Sequence, residues 1–181
     1  MNINYSFISK AILCYESLGF KYVEVPWLVS NDALDVTRPP EARSFETFAG
    51  NLVASGEQSF IEIRDRLKVG GKYQCVTPCF RDEKYDKYHK QRFLKNELIW
   101  VISPDDCVET KTKQCLDCAS FVFLQCMDYK FKIEVVDTDI GKDLYINGIE
   151  VGSYGYRCYD GFHWIYGTGL AEPRFSQALE G

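Results

Sequence analysis

Cys79-Phe80-Arg81-Asp82-Glu83 closes an alternating run that starts at Tyr73 and is typical of a β-strand. A highly charged turn follows it, and a second strand-like run extends from Phe93 to Ile102. Two such runs joined by a polar turn predict a long antiparallel hairpin. This hairpin is the clearest element of the sequence, and it predicts that the fold is built on an antiparallel sheet.

The hairpin also predicts which of its side chains share a surface. Alternation places Arg81 and Glu83 on one face of the first strand, and Phe93 and Glu97 on one face of the second. A turn over roughly residues 84–92 brings all four to one surface, where they offer a guanidinium, an aromatic ring and two carboxylates to a ligand. The alternative is structural, with Arg81 and Glu83 as a surface cross-strand ion pair and Phe93 as ordinary core.

A second segment, Gly167-Thr168-Gly169-Leu170-Ala171-Glu172-Pro173-Arg174, follows a predicted strand from Phe162 to Tyr166. Its Gly167-x-Gly169 sequence predicts a turn, and Pro173 predicts the start of a final helix. Arg174 then lies in the first turn of that helix, where the helix dipole disfavours a cation. An arginine in this position is typical of an anion site, and together with Arg81 it indicates a site that binds phosphate groups.

The remaining segments predict helices packed on this sheet. The predicted elements are a helix capped by Asn4 or Ser6 and ended by Gly19, an extended segment from Phe20 to Val25, a loop over residues 30–50, a strand from Leu52 to Ser55, a helix from Ser59 to Leu67, a helix starting at Ser103-Pro104-Asp105-Asp106, a strand from Phe131 to Val136, and a hairpin turn at Asn147-Gly148 between strands Leu144–Ile146 and Ile149–Val151. This order predicts an α+β fold, an antiparallel β-sheet flanked by helices. With 181 residues, the chain is expected to form one domain over residues 1–181.

Composition argues against several classes of protein. The net charge of −5 and the pI of about 5.1 do not fit a general nucleic-acid coat. A local basic stretch is nevertheless present, formed by Lys84, Lys87, His89, Lys90, Arg92 and Lys95. Because we find no secretory signal or membrane-spanning pattern, we expect a cytoplasmic protein with reduced thiols and no membrane partner. Cys115-x-x-Cys118 falls in a helical pattern and is expected to be buried cysteine rather than zinc ligands.

The sequence lacks the common nucleotide-binding loops. Gly70-Gly71-Lys72 does not have the spacing of a P-loop, and Gly167-x-Gly169 lacks the third glycine of a dinucleotide fingerprint. A nucleotide is therefore expected to be held by the sheet surface and the arginines.

Three segments, in this order, resemble the motifs of class II aminoacyl-tRNA synthetase catalytic domains. Gly19-Phe20-Lys21-Tyr22-Val23-Glu24-Val25-Pro26 is similar to the first motif, Phe80-Arg81-Asp82-Glu83 with the basic loop and Phe93 is similar to the second, and Gly167-Thr168-Gly169-Leu170-Ala171 with Arg174 is similar to the third. The resemblance spans nearly the whole chain. It implies a seryl-like catalytic core and a homodimer formed through residues 19–26. This core is expected to be minimal and, as a departure from most of the family, to lack an anticodon-binding domain.

The resemblance implies a role for each matching residue. Arg81 would hold the α-phosphate of ATP and stabilise charge in the transition state. Glu83 would contact the adenine amino group, and Phe93 would stack on the adenine ring. Arg174 would stack on the opposite side of adenine and contact the γ-phosphate.

Further residues take roles from the same resemblance. Glu150-Val151-Gly152-Ser153 is similar to a segment whose Glu and Ser bind Mg²⁺, which implies Glu150 and Ser153 as its ligands. The basic loop, with His89 and Lys90, would face pyrophosphate or the tRNA acceptor end. The alternative for Glu150 is a solvated carboxylate beside a turn.

Two carboxylates are candidates for the substrate ammonium. Ala54-Ser55-Gly56-Glu57-Gln58 is similar to the loop that recognises the ammonium of the amino acid, and this implies Glu57 and Glu97 as its partners. The alternative for Glu57 is a plain loop carboxylate.

Two functions follow from these residues. The first is ATP- and Mg²⁺-dependent activation of an amino acid, with transfer of the aminoacyl group to tRNA, a carrier protein or a small amine; DNA is not expected as a partner. The second is a non-catalytic paralogue of such an enzyme that binds a ligand, RNA or a partner enzyme as an accessory or regulatory subunit. The presence of Arg81, Glu83, Phe93 and Arg174 favours the first function.

Overall fold

The structure is a computed structural model that describes residues 2–82 and 90–180. Five α-helices lie in these residues, and a short 3₁₀ helix, Arg64–Arg66, follows the third. The α-helices are α1 (Tyr5–Ser17), α2 (Asn31–Asp35), α3 (Gly56–Glu62), α4 (Val108–Cys126) and α5 (Arg174–Glu180). In the described part of the chain, no helix combines the length and apolar character needed to cross a membrane.

The strands form two sheets, and the larger one confirms the predicted α+β fold. The strands are β1 (Lys21–Tyr22), β2 (Leu28–Val29), β3 (Phe45–Thr47), β4 (Gly50–Leu52), β5 (Lys72–Phe80), β6 (Arg92–Val101), β7 (Glu134–Thr138), β8 (Gly141–Ile146), β9 (Ile149–Tyr159) and β10 (Phe162–Glu172). The larger sheet, here called the main sheet, has the order β1-β5-β6-β10-β9-β8-β7. Its described neighbours pair antiparallel except β1, which is parallel to β5. The small sheet has the order β2-β4-β3.

Helices cover the main sheet from two sides, as the predicted pattern of helices and strands requires. On one side α1, α4 and α5 pack on the strands, and their shared core includes Tyr15, Phe123, Tyr154 and Phe175. On the other side α2, α3 and the small sheet enclose a second core around Phe60 and Trp164. The second layer is smaller, and part of this face of the main sheet lines cavities.

The turn residues behave as the sequence predicts. The Asn4 side chain accepts hydrogen bonds from the backbone N–H of Ser6 (3.1 Å) and Phe7 (3.4 Å), so Asn4 caps α1. Gly19 ends this helix with a φ of +87°, in the left-handed region. Asn147 and Gly148 both have positive φ, which matches the two-residue turn that joins β8 to β9.

The predicted start of the fourth helix is wrong. The helix begins at Val108 rather than at the Ser103-Pro104 pair. The intervening residues close a turn of their own, in which the Asp106 N–H donates to the Ser103 carbonyl (3.0 Å) and the Ser103 N–H donates to the Asp106 carboxylate (2.9 Å). A serine followed by acids satisfies backbone donors in a turn as well as at a helix end, so the pattern does not distinguish the two structures.

The predicted loop over residues 30–50 is also wrong. It contains α2, β3 and the start of β4. Ser30 caps α2 by accepting from the Ala33 N–H (3.3 Å), and the short strands pair with each other at the edge of the second core. Boundaries shift in neighbouring segments as well: α3 starts at Gly56, and β7 starts at Glu134. These elements are too short for hydrophobic periodicity to be read with certainty.

The predicted turn at Gly167-x-Gly169 is a β-bulge inside β10. Thr168 pairs with Glu97 and Leu170 pairs with Asn96, so Gly169 is the extra residue. A Cβ at Gly169 would lie 2.5 Å from the Asn96 side-chain oxygen, which requires glycine here. The strand therefore continues through both glycines to Glu172.

Two buried tyrosines satisfy the backbone at this bulge. The Tyr15 hydroxyl donates to the Gly169 carbonyl (2.8 Å), and the Tyr154 hydroxyl donates to the Thr168 carbonyl (2.7 Å). Burial raises the pKa of both phenols, so each keeps the proton that it donates. The bulge is thereby tied to α1 on one side and to β9 on the other.

We expect Tyr15→Phe to lower the free energy of unfolding by about 1–3 kcal/mol, because the Gly169 carbonyl then loses its hydrogen bond in a buried position. Denaturant unfolding followed by circular dichroism measures this change. Tyr5→Phe on the same helix is the matched control, because Tyr5 is 67% exposed. Equal stability of the two variants would show that the tyrosine does not support the bulge.

Candidate functional site

A cavity of about 180 Å³ on the sheet face of β6, β9 and β10 brings the two predicted arginines together. We call it the arginine cavity; the lining residues that matter here are Arg81, Lys90, Phe93, Lys95, Glu150, Ser153 and Arg174. Arg81 comes from the end of β5 and Arg174 from the start of α5, which are distant in sequence. Cations outnumber carboxylates on the lining, so the cavity is suited to a polyanion.

Arg81 is held in place from two sides. Its Nε donates to the Ala54 carbonyl (3.1 Å), and its guanidinium lies 5.1 Å from the centre of the Phe93 ring. The hairpin register pairs Cys79 with Phe93 and Cys75 with Glu97, so Phe93 and Glu97 lie on one face as predicted by alternation. Of the predicted set, Glu83 and His89 lie outside the described residues.

Arg174 and Glu150 form an ion pair in the wall of the arginine cavity. The Arg174 Nη1 lies 3.5 Å from a Glu150 carboxylate oxygen, and both side chains are partly exposed. Glu150 and Ser153 both line this cavity although they are three residues apart in one strand, where regular alternation would separate them. A register shift between β8 and β9 explains this: Tyr145 pairs with Glu150 and Leu144 with Gly152, which makes Val151 an extra residue.

A second cavity of about 260 Å³ adjoins the first. We call it the glutamate cavity, because Glu57 and Glu97 line it together with α2, the segment after α2, and Arg157 and Tyr166. The two cavities share four lining residues, which are Arg81, Lys95, Ser153 and Thr168. A ligand that fills both would therefore pass the Arg81 guanidinium at the junction.

Glu97 is buried in the wall of the glutamate cavity next to this junction, and it has two partners. Its carboxylate lies 2.9 Å from the Lys95 Nζ and accepts a hydrogen bond from the Ser55 hydroxyl. Ser55 also caps α3 by accepting from the Glu57 N–H (3.3 Å), so the same hydroxyl ties the helix to the sheet. The carboxylate is thus placed in the glutamate cavity with its negative charge partly balanced.

Glu57 is buried at the far side of the glutamate cavity. Both of its oxygens accept from the Arg157 Nη1 (2.7 and 2.6 Å), and one accepts from the Trp164 indole N–H (2.7 Å). Burial raises the pKa of Glu57, and Arg157 counteracts part of this rise. The charge of Glu57 is therefore engaged inside the protein, chiefly by Arg157.

Arg157 was not among the site residues expected from the sequence. Its strand was predicted to end at Val151, whereas β9 continues to Tyr159. Strand alternation could have indicated this residue, because Ser153, Gly155 and Arg157 share one face if the strand continues beyond Val151. The two cysteines expected to be buried both lie in α4, where Cys115 is buried and Cys118 is only half-buried. Within residues 2–82 and 90–180, no three His, Cys, Asp or Glu side chains form a metal-binding group.

Solved class II aminoacyl-tRNA synthetases share this fold at low sequence identity. A pyrrolysyl-tRNA synthetase from Desulfitobacterium hafniense matches 98% of this chain with a TM-score of 0.73 and 16% identity, and 69% of its own length is covered. A seryl-tRNA synthetase from Pyrococcus horikoshii complexed with ATP matches 97% of this chain with a TM-score of 0.74 and 16% identity, and 49% of its own length is covered.

A serine-tRNA ligase from Naegleria fowleri in complex with AMP matches 94% of this chain with a TM-score of 0.68 and 15% identity, and 46% of its own length is covered. This chain therefore spans about half the length of the two seryl enzymes. No protein-family model and no curated protein sequence matches the chain. At this level of identity the shared property is the fold of the catalytic core.

The buried Glu57 carboxylate predicts a pH-dependent stability difference. Because its folded-state pKa is raised, folding stability from this group is present at low pH and is lost as the pH rises through that pKa. Glu57→Gln removes the titration. We expect the unfolding free energy of Glu57→Gln, relative to the wild type, to increase between about pH 4 and about pH 7, by about 1.4 kcal/mol for each unit by which the pKa is raised.

Urea unfolding at several pH values measures this difference. Glu46→Gln is the control, because Glu46 is exposed and reports the effect of removing a surface carboxylate. A relative stability of Glu57→Gln that is constant or falls with pH would contradict the raised pKa.

Proposed function

We propose that this protein activates an amino acid with ATP to form an aminoacyl adenylate and pyrophosphate. The observation that supports this most strongly is the meeting of Arg81 and Arg174 in one cationic cavity on the fold of a class II synthetase catalytic core. Triphosphate is the polyanion that such a cavity suits, and the adjoining glutamate cavity has room for the amino acid.

In this proposal Arg81 acts at the reacting phosphorus. It lies at the junction of the two cavities, where the α-phosphate of ATP and the carboxylate of the amino acid would meet. The carboxylate oxygen attacks phosphorus while the bond to the pyrophosphate oxygen breaks. A guanidinium already held by Ala54 and Phe93 stabilises the charge that develops, at little cost in reorganisation.

The remaining nucleotide contacts follow from the same placement. Phe93 offers its ring to the adenine base, and Arg174 serves the opposite side of adenine and the γ-phosphate. Glu83 and His89, outside the described residues, keep their predicted roles at the adenine amino group and at pyrophosphate. Lys90 lines the arginine cavity, which supports a contact with the departing phosphates.

The donor set of Glu150 and Ser153 fits Mg²⁺. Both line the arginine cavity, and one carboxylate with one hydroxyl is a common protein contribution to a magnesium ion that also binds phosphate oxygens. Bound there, Mg²⁺ would supply positive charge that neutralises the phosphates. The Arg174 Nη1 lies 3.5 Å from the Glu150 carboxylate, so the same phosphates would meet both groups.

In the glutamate cavity we assign the substrate ammonium to Glu97. Glu97 lines the glutamate cavity and pairs with Lys95, which lines the junction together with Arg81, close to where the α-amino group of the substrate would be. Glu57, the second predicted partner, remains a candidate; its contacts support the additional role of holding Arg157 in position.

The proposal also includes a domain organisation, a cellular location, an oligomeric state and an acceptor. We treat residues 1–181 as one catalytic domain of a cytoplasmic, homodimeric enzyme, with the acceptor end of tRNA as the first candidate acceptor and a carrier protein or small amine as the others. The similar structures include pyrrolysyl and seryl enzymes, so a seryl-like specificity has no particular support from them.

The second candidate is a non-catalytic accessory subunit. It shares the fold and nucleotide binding with the first candidate, and differs in lacking catalysis. Arg81 is positioned at the cavity junction by the Ala54 carbonyl and the Phe93 ring, and this placement of a guanidinium favours the catalytic candidate.

Amino-acid-dependent exchange of pyrophosphate into ATP tests the proposal. We expect exchange with one or two of the twenty amino acids in the presence of Mg²⁺, and a fall of about 100-fold or more in Arg81→Ala and Arg174→Ala, because each loses a charged contact to the transition state. Arg66→Ala, on the exposed 3₁₀ helix, is the matched control and should retain wild-type exchange.

The two candidate functions predict different outcomes. Binding of ATP without exchange for any amino acid would favour the accessory subunit. Exchange that survives in both Arg81→Ala and Arg174→Ala would contradict the assignment of the arginine cavity as the ATP site.

The proposed dimer has a separate test. Strand β1 lies at the edge of the main sheet, and Trp27, next to the predicted dimer segment, is 55% exposed. We expect light scattering at micromolar concentration to give twice the chain mass of 20.9 kDa. Trp27→Glu should shift the protein toward monomer, whereas Phe48→Glu at another exposed position should not. A wild-type monomer would contradict the homodimer.

A further inference from the structure

Arg157 extends into the glutamate cavity from β9 and is held rigidly there. Its Nη1 donates to both oxygens of Glu57, and its guanidinium lies 4.2 Å from the centre of the Tyr166 ring. One edge and one face of the guanidinium are thereby fixed by side chains that themselves line the cavity. A guanidinium in this state loses little entropy when it binds a ligand.

A part of this guanidinium remains available to a ligand. Arg157 has two further donor groups, Nε and Nη2, and among the described residues neither has a protein acceptor. The side chain is 31% exposed and lines the cavity. Two neighbouring N–H groups of one guanidinium match the two oxygens of a carboxylate.

The charge on the cavity wall favours an anionic group at this end. Glu57 is paired with Arg157, and Glu97 is paired with Lys95. Arg43 adds positive charge from the segment after α2, where Arg38 is paired with Asp35, and Asp82 is the remaining carboxylate among the described lining residues. A cationic substrate side chain would meet excess positive charge here, and an anionic one would balance it.

From these observations we propose that the substrate is an acidic amino acid, aspartate or glutamate, whose side-chain carboxylate binds Arg157. The inference rests on the proposed activation reaction for its chemistry, but the binding site itself depends on the geometry of the glutamate cavity. Arg157 is then the residue that determines specificity, and Glu57 and Tyr166 position it.

The test compares each acid with its own amide. Pyrophosphate exchange is measured for aspartate against asparagine and for glutamate against glutamine, which differ little in size and differ in charge. We expect kcat/KM for the preferred acid to exceed that of its amide by about 100-fold or more, because the amide presents an N–H₂ group to the Arg157 donors.

Variants separate recognition from structural support. Arg157→Met should reduce the acid-to-amide ratio of kcat/KM by about 30-fold or more, whereas a merely structural loss would lower both substrates equally. Arg157→Lys keeps the charge without the paired donors and should give an intermediate ratio. It also serves if Arg157→Met does not fold. Arg66→Met, outside both cavities, should leave the ratio unchanged.

Calorimetric titration of the wild type with aspartate and with glutamate, without ATP, distinguishes failure of this inference from failure of the proposed function. Exchange with a neutral or basic amino acid alone would overturn the acidic substrate and leave amino-acid activation standing. Absence of exchange with any amino acid, together with acid binding that Arg157→Met abolishes, would overturn activation and support the acidic subsite. Absence of both exchange and acid binding would overturn both.

Discussion

The β-bulge at Gly169 is the constraint on which the arrangement of the site depends. An extra residue in a central strand leaves carbonyls without ladder partners, and in a buried sheet each unpaired carbonyl is costly. Tyr15 from α1 and Tyr154 from β9 supply the missing donors. Helix α1 is thus hydrogen-bonded to β10 at the position where this strand changes register. Arg174, which lines the arginine cavity, follows five residues after the bulge at Gly169.

Bulges also decide which side chains line the arginine cavity. Beyond the shift in β10, the extra residue Val151 in β9 places Glu150 and Ser153 on one face although three residues separate them. Thr168 and Ser153 lie side by side at the junction of the two cavities, where the Ser153 N–H donates to the Thr168 hydroxyl oxygen (3.4 Å). A regular sheet with the same residues would turn some of these side chains into the opposite core.

The junction itself is organised by paired charges. Lys95 balances Glu97 and Arg157 balances Glu57, so two buried carboxylates are accommodated without an uncompensated charge. Since the partner cations also line the glutamate cavity, the pairs that stabilise the fold also set the electrostatic character of the cavity. Ser55 contributes both to the fold and to the cavity, because its hydroxyl caps α3 and contacts Glu97.

The sequence by itself determined the elements whose signals are local. The β5–β6 hairpin follows from alternation, the Asn147-Gly148 turn from residues that tolerate positive φ, and the cap of α1 from an asparagine side chain that reaches nearby N–H groups. Alternation also placed Phe93 and Glu97 on one face, and Pro173 marked the start of the last helix at Arg174. Each of these depends on residues close together along the chain.

Only the tertiary structure decided the rest. The sequence Gly167-x-Gly169 is compatible with a turn and with a bulge, and the choice depends on Tyr15 and Asn96, which are far away in sequence. Likewise, Ser103-Pro104-Asp105-Asp106 begins a turn rather than a helix, and the short elements of residues 30–50 exist because they pair and pack at the second core. Arg157 becomes a candidate recognition residue only when Glu57, a hundred residues earlier, and Tyr166 meet it across the sheet. Such contacts join residues that are far apart in the sequence. They cannot be predicted from local patterns, because their energy comes from burial and pairing that exist only in the folded chain.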